Sequence, residues 1–193
     1  MKQLWALVAT VMSCATLSAQ DVEMSDNRSW SFTSVSQTDV SLISGDANWK
    51  KDSKNRYCYV LAMDNAPVKA NDTELDVAKG LTFTITANDN GNLRLGGSTG
   101  ALWLGDASSL VIPNRKAGEM VKIEYCTSNK LSTRSLALVN LEGTFPASTG
   151  KEHQQGSGKI VADGDVVVGI TGGMYIYSLA VGDEETIGGG GGT

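Results

Sequence analysis

The chain has 193 residues, with 16 basic and 21 acidic side chains, one histidine and a formal charge of −5. That length fits a single domain able to bury a core without staples. The acidic balance, without a long basic stripe, excludes a nucleic-acid partner, and any catalytic triad or histidine–zinc site would have to be built on His153 alone.

Residues 1–20 carry a positive start (Lys2), an apolar stretch and a Leu17-Ser18-Ala19 ending before Gln20. This reads as an export signal, too short and too interrupted to remain as a membrane span. The mature protein is therefore expected outside the cytoplasm, secreted, periplasmic or on the cell surface. Val11-Met12-Ser13-Cys14 loosely resembles a lipobox, so lipid anchoring at Cys14 is an alternative to cleavage after Ala19. No second apolar segment is long enough to cross a bilayer.

Beyond the leader the pattern is strand after strand. Short runs are expected at 30–35 and 40–43, then a strand over 56–63. The one helix candidate, 72–79, has Asn71 or Asp72 to cap its start and Gly80 to stop it. In Leu81-Thr82-Phe83-Thr84-Ile85-Thr86-Ala87 the apolar residues alternate with three threonines, the period-two mark of a strand with one wet face. Further strands are expected at 93–95, 101–104, 110–112, 121–127, 136–141, 159–162, 165–170 and 174–181. Asn90-Gly91 suits a two-residue hairpin turn, Gly96-Gly97, Gly105-Asp106, Asp163-Gly164 and Gly172-Gly173 punctuate other runs, and Pro113 is expected to end the strand before it. Many short strands spaced near ten residues give an all-β fold, an antiparallel two-sheet β-sandwich that is jelly-roll-like. The expected domain is 21–185. Residues 186–193, with glycines at 188–192, are expected to be a flexible tail or a truncated linker.

Chemistry-bearing residues are sparse. His153 lies in a polar, turn-rich stretch and reads as a surface-loop histidine. Asp163 and Asp165 flank Gly164, where aspartates serve turn geometry, and no acid–base pair for glycoside hydrolysis or lyase chemistry stands out. Asn88-Asp89-Asn90-Gly91-Asn92 resembles the start of a calcium loop but lacks the spaced carboxylates and closing glutamate. No cofactor is expected, and a structural calcium held partly by backbone carbonyls is the one metal left open. The glycines at 96–100 lack the Lys-Ser or Lys-Thr of a phosphate loop. Cys58 and Cys126 could oxidise in an exported protein, yet alternation sets Cys126 beside Lys122 and Glu124 on the wetter face of its strand, which favours separate thiols.

Aromatic residues offer the better lead. In Ala101-Leu102-Trp103-Leu104 the leucines share one face and Trp103 takes the other. Trp49 adjoins Lys50, Lys51, Lys54 and Arg56. An exposed indole beside cations suits an acidic sugar chain: the ring stacks on the apolar face of a pyranose and the cations meet carboxylates. Burying roughly 100–150 Å² of ring surface gives about 2.5–4 kcal/mol gross, which after ordering costs supports a Kd nearer mM than nM. Candidate ligand-binding residues are Trp49, Lys50, Lys51, Arg56 and Trp103. No catalytic residue is assigned.

Several of these segments together resemble a known family. They are the Leu-Ser-Ala-Gln end of the leader, Trp30-Ser31-Phe32-Thr33, Trp49, Arg56-Tyr57, Lys79-Gly80-Leu81-Thr82-Phe83, Leu110-Val111-Ile112-Pro113, Asp163-Gly164-Asp165-Val166 and Tyr175-Ile176-Tyr177-Ser178-Leu179. They resemble the amino-terminal β-sandwich modules of secreted pectate-lyase-like proteins from polysaccharide-degrading Gram-negative bacteria, over most of residues 28–183. The resemblance implies a non-catalytic, carbohydrate-binding-like module with a polysaccharide partner of the acidic pectin type, set ahead of a carboxy-terminal catalytic domain that this chain has no room for. The rival expectations are a structural spacer of a cell-surface protein and a small glycan-active enzyme such as a polysaccharide lyase.

Overall fold

The computed structural model describes residues 27–33, 49–51, 56–59, 67–69, 80–84, 93–96 and 100–188. The leader, the helix expected over 72–79, the Asn90-Gly91 turn and the tail beyond residue 188 lie outside the described residues.

Sixteen strands are described: β1 (Arg28–Ser31), β2 (Trp49–Lys51), β3 (Arg56–Tyr59), β4 (Pro67–Lys69), β5 (Thr82–Thr84), β6 (Leu93–Gly96), β7 (Leu102–Leu104), β8 (Ser109–Arg115), β9 (Met120–Thr127), β10 (Thr133–Arg134), β11 (Leu136–Val139), β12 (Leu141–Thr144), β13 (Ser148–Thr149), β14 (Gln154–Ile160), β15 (Gly164–Ile170) and β16 (Met174–Gly182). A nine-stranded sheet runs β12-β14-β9-β16-β7-β6-β3-β2, with β1 also paired to β16. A five-stranded sheet runs β11-β15-β8-β5-β4, and β10 pairs with β13. Every described pairing is antiparallel. The fold is an all-β, two-sheet antiparallel sandwich, as the alternation predicts.

The core forms where the apolar phases of the two sheets meet. Leu102, Leu104, Val121, Ile123, Tyr125, Met174 and Ile176 come from the large sheet, and Phe83, Leu110, Ile112, Val166 and Val168 from the small one. Each large side chain sealed there contributes roughly 1.5–3 kcal/mol. Two glycines make room for one more ring. Gly156 and Gly158 of β14 face Phe145, which packs against the core where a Cβ on either glycine would meet its ring.

Four details depart from the sequence reading. Pro113 does not end its strand: β8 runs on to Arg115, because Pro113 and Asn114 together oppose Asp165 in a bulge. Asn114 adopts φ 55°, and its N–H donates to Asp165 Oδ1 at 2.8 Å, so the proline's missing donor costs the ladder nothing. The strand expected at 159–162 begins five residues earlier, at Gln154, in a Gln-Gln-Gly-Ser-Gly-Lys run with no apolar alternation to announce it. Residues Glu184–Gly188 form a short helix, α1, across the boundary expected between the domain (21–185) and the tail (186–193). Finally, Cys126 occupies the outer face yet is buried, because Tyr177 closes over it with Oη 3.3 Å from the sulfur. Its thiol is free. β6, β7 and β16 separate β3 from β9, so Cys58 lies four strand spacings away, about 19 Å, far beyond disulfide reach.

Tyr125 supplies a pH test of the core. Its ring is fully buried and its hydroxyl donates to the Pro146 carbonyl at 2.6 Å. Burial pushes the phenol from 10.0 up to about 12. The unfolded chain therefore loses this proton first. Stability linked to the neutral phenol is complete below pH 10 and falls as the pH rises toward 12, by about 3 kcal/mol over that span. Urea unfolding between pH 9 and 12 should show this loss, and Tyr125→Phe should reduce it, leaving the part that the buried Tyr177 hydroxyl and Cys126 thiol carry in the same direction, at a cost of about 1 kcal/mol at neutral pH. An unchanged alkaline slope in the variant would reject the assignment.

Candidate functional site

The outer face of the large sheet carries a row of residues set directly opposite one another on successive strands. Cys58 on β3 pairs with Arg94 on β6, Arg94 with Trp103 on β7, Trp103 with Tyr175 on β16, and Tyr175 with Cys126 on β9. His153 continues the row, since Gln154 at the start of β14 pairs with Tyr125. The core-facing rows on either side hold Leu102, Leu104, Met174 and Ile176, so alternation sends Trp103 and Tyr175 outward.

A bulge in β16 enlarges the row. Ile176 pairs with Tyr125 and Ser178 with Glu124, so Tyr177 is the extra residue. Met174 and Ile176 face the core before the bulge, and Leu179 and Val181 after it. Tyr177 and Ser178 consequently share the outer face, where a regular strand would have sent one inward. The sequence does hold this signal: Met174-Tyr175-Ile176-Tyr177-Ser178-Leu179 breaks apolar phase at Tyr177-Ser178.

Each aromatic ring of the row carries a basic or imidazole partner. The Arg94 guanidinium lies 4.1 Å from the centre of the Trp103 ring. The Lys151 ammonium lies 5.8 Å from the centre of Tyr175. The His153 ring stacks on Tyr177 at 4.1 Å and 25°, and Tyr175 and Tyr177 sit tilted 6.5 Å apart. Cation–π contacts of this kind contribute about 0.5–2 kcal/mol. Trp103 lies across Gly173, where a Cβ would crowd its Nε1 at 2.9 Å. Arg94 covers one ring face, so the surface offered at Trp103 is a guanidinium on an indole base rather than a bare ring. Lys151 is held at φ 74°, an uncommon conformation for a residue with a Cβ.

Glu124 ties this row to the next. Its Oε1 is 3.2 Å from His153 Nδ1, and its Oε2 accepts a long 3.5 Å bond from Ser178 Oγ. Burial, then the contact with Cys126, raises the Tyr177 hydroxyl above the ordinary tyrosine range, and burial likewise raises the Cys126 thiol. Both stay neutral at ordinary pH. Beyond Glu124 the face dips into a groove of about 650 Å³, lined by Lys122, Gln155, Ser157, Ser178, Ala180 and Ser29 among others.

Of the residues selected from sequence, Trp103 lies half-exposed in the row. The side chains of Trp49, Lys50, Lys51 and Arg56 lie outside the described residues, and only their register is given. Lys50 pairs with Cys58 and so falls in the row of Trp103, and Arg56 is in phase with it. Trp49 and Lys51 fall in the alternate rows, those of Leu104 and Leu102. Sequence reasoning missed Arg94, Tyr175, Tyr177, Lys151, Glu124 and His153 as neighbours. His153 is exposed, as a loop histidine would be, but it is engaged on two sides. Asp163 and Asp165 do not form a facing pair. Asp163 accepts from the Ala117 N–H and from Lys116, contacts that hold its carboxyl below the usual range, and Asp165 accepts from Asn114. Among the described residues no three His, Cys, Asp or Glu side chains converge as a metal site would require. The calcium-like segment 88–92 lies outside the described residues.

No protein-family profile matches the chain, and no curated protein matches it. Solved structures similar to it include the CBM51-2 and INT domains of Clostridium perfringens ZmpB, with GlcNAc, at 6% identity and a TM-score of 0.36 over 66% of this chain and 36% of that one. CsCBM6-3 of Clostridium stercorarium, in complex with cellobiose, is similar at 14% identity and a TM-score of 0.31 over 64% of this chain and 99% of that one. The K1 cleaved adhesin domain of the Lys-gingipain Kgp of Porphyromonas gingivalis W83 is similar at 10% identity and a TM-score of 0.35 over 82% of this chain and 98% of that one. The chain thus spans about a third of the first of these and nearly all of the other two.

Proposed function

We propose that this is an exported, non-catalytic module that binds an acidic polysaccharide, of the pectin type, along the outer face of the large sheet. The observation that carries the reading is the row of three ring–base pairs: Trp103 with Arg94, Tyr175 with Lys151 and Tyr177 with His153. The chain as a whole is acidic, yet the three ring–base pairs bring Arg94, Lys151 and His153 together beside the carboxylate of Glu124. The guanidinium laid on Trp103 and the imidazole laid on Tyr177 are flat, delocalised surfaces for a sugar ring to meet, and the bases give its carboxylates counter-ions. Trp103 to His153 spans three strand spacings, about 14 Å, long enough for an oligosaccharide lying across the strands. Lys50 and Arg56, in phase with the row, extend it in this reading. Trp49 and Lys51, in the register rows of Leu104 and Leu102, stand outside it. A carboxy-terminal catalytic partner, implied by the family resemblance, is part of the same proposal.

Affinity electrophoresis through polygalacturonate, methyl-esterified pectin and neutral galactan tests the reading, with calorimetry for affinity. Polygalacturonate should retard the protein with a Kd between micromolar and millimolar, weakening with salt. Trp103→Ala combined with Tyr175→Ala should lower that affinity at least tenfold, with circular dichroism unchanged. Absence of retardation by every glycan would overturn the proposal, and so would full affinity in the double variant.

A further inference from the structure

We propose that the groove beside the aromatic row is a subsite for an anionic sugar residue, one bearing a carboxylate or a sulfate ester, with Lys122 as its counter-ion. The inference rests on the glycan reading of the row and adds where the charge of the ligand is recognised. The groove lies on the same face. The Glu124–Ser178 pair forms its border with Tyr177, and the Lys122–Ala180 pair forms the next outward step along the same two strands. Its volume, about 650 Å³, falls in the range of small-molecule sites.

The lining explains what would enter. Ala180, Ser178, Ser157 and Ser29 are small, so the sheet dips where larger outward side chains would fill it. Hydroxyls and the Gln155 amide both donate and accept, which matches the hydroxyl rim of a pyranose. Lys122 is half-buried. Elsewhere on the structure Lys116 is paired with Asp163 and Lys159 with Glu184, whereas Lys122 has no ion-pair partner among the described residues. A partly desolvated ammonium without a counter-ion gains from an anion placed beside it. The Glu124 carboxylate also lines the groove, at its border with Tyr177, where it faces His153 and accepts from Ser178, contacts that offset part of its repulsion of that anion.

Calorimetry with a galacturonic acid trimer, a sulfated galactose trimer and a neutral galactose trimer separates the alternatives. Lys122→Met should weaken the acidic trimer that binds by about tenfold and leave the neutral trimer unchanged, and Lys122→Arg should restore the loss. Preference for the carboxylated or the sulfated trimer identifies the anion. If Lys122→Met changes neither acidic trimer while the Trp103→Ala/Tyr175→Ala variant loses binding, the subsite is overturned and the row stands. Loss in Lys122→Met with full affinity in that double variant removes the row and keeps the subsite. Equal weakening of the neutral trimer would assign Lys122 a packing role and overturn the proposal, and no binding of any trimer would overturn both.

Discussion

Replacing Glu119 by alanine should cost the protein about 3–5 kcal/mol, among the largest effects of any single substitution in this structure. Glu119 and Arg115 are 7% and 4% exposed. They flank the corner where the chain leaves β8 in the small sheet and enters β9 in the large one. The guanidinium donates twice, Nε to Oε2 at 2.8 Å and Nη2 to Oε1 at 2.9 Å, and the Lys116 N–H donates to Oε2 at 3.0 Å. The alanine variant removes the acceptor of all three donors and leaves a buried cation without its bidentate carboxylate. The neighbouring described groups of the corner are already engaged. Asp163 already accepts from Lys116 and Ala117, and Ile160 exchanges backbone bonds with Gly118 and Glu119. A domain of this size should lose roughly 6–20 °C in Tm. The double variant Arg115→Met/Glu119→Leu removes charge and counter-charge together and should recover most of the loss, because a buried pair stabilises little beyond an apolar pair of similar volume. Thermal and urea unfolding of the three variants decides the matter. A cost below 1 kcal/mol in Glu119→Ala would mean that the corner rearranges without the pair.

The parts of this architecture that sequence reveals are those where one strand's own residues state which face is dry. Val121, Ile123 and Tyr125 alternate cleanly, as do Leu81 and Phe83, and Leu102 and Leu104; all are buried. Alternation alone also sets Trp103 on the outer face. What it cannot supply is the register between strands. Arg94 and Trp103, or Tyr175 and Cys126, become neighbours only once β6, β7, β16 and β9 are aligned, and no local pattern fixes those alignments. Cys126 shows the limit most clearly. Its parity was readable, but its burial depends on Tyr177, a residue placed there by a bulge 51 positions later. His153 likewise reads as a loop residue until Glu124 and Tyr177 are brought beside it. Pro113 and the run Gln154–Ile160 failed for a different reason. A proline can stand where a bulge already breaks the ladder, and a strand can be built from glycine, serine and glutamine when a neighbour supplies the apolar surface it lacks.

That neighbour is Phe145, and the pairing of β12 with β14 yields the second large effect. Gly143 and Gly158 pair across the two strands. A Cβ on Gly143 would meet the Ser157 carbonyl oxygen and the Gly158 Cα, both backbone, whereas a Cβ on Gly156 would meet the ring of Phe145. The two glycines are therefore required for different reasons, and a double-mutant cycle tells them apart. Gly143→Ala should destabilise by about 3 kcal/mol, at the upper end for overpacking, because a strand must move rather than a side chain. Gly156→Ala should cost about 2 kcal/mol, because Phe145 is only partly buried and its ring can swing aside. Phe145→Leu removes the obstacle for one and not for the other. Combined with Gly156→Ala it should cost clearly less than the sum of the single changes, and combined with Gly143→Ala it should be additive within about 0.5 kcal/mol. Urea unfolding of the five variants measures both couplings. Strong coupling of Gly143 to Phe145 would contradict the backbone contact, and additivity at Gly156 would contradict the ring contact. Because β14 also presents Gln155 and Ser157 to the groove, displacement of the strand in Gly143→Ala should weaken the acidic trimer together with the fold, whereas Gly156→Ala, absorbed on the core side, should leave that binding intact.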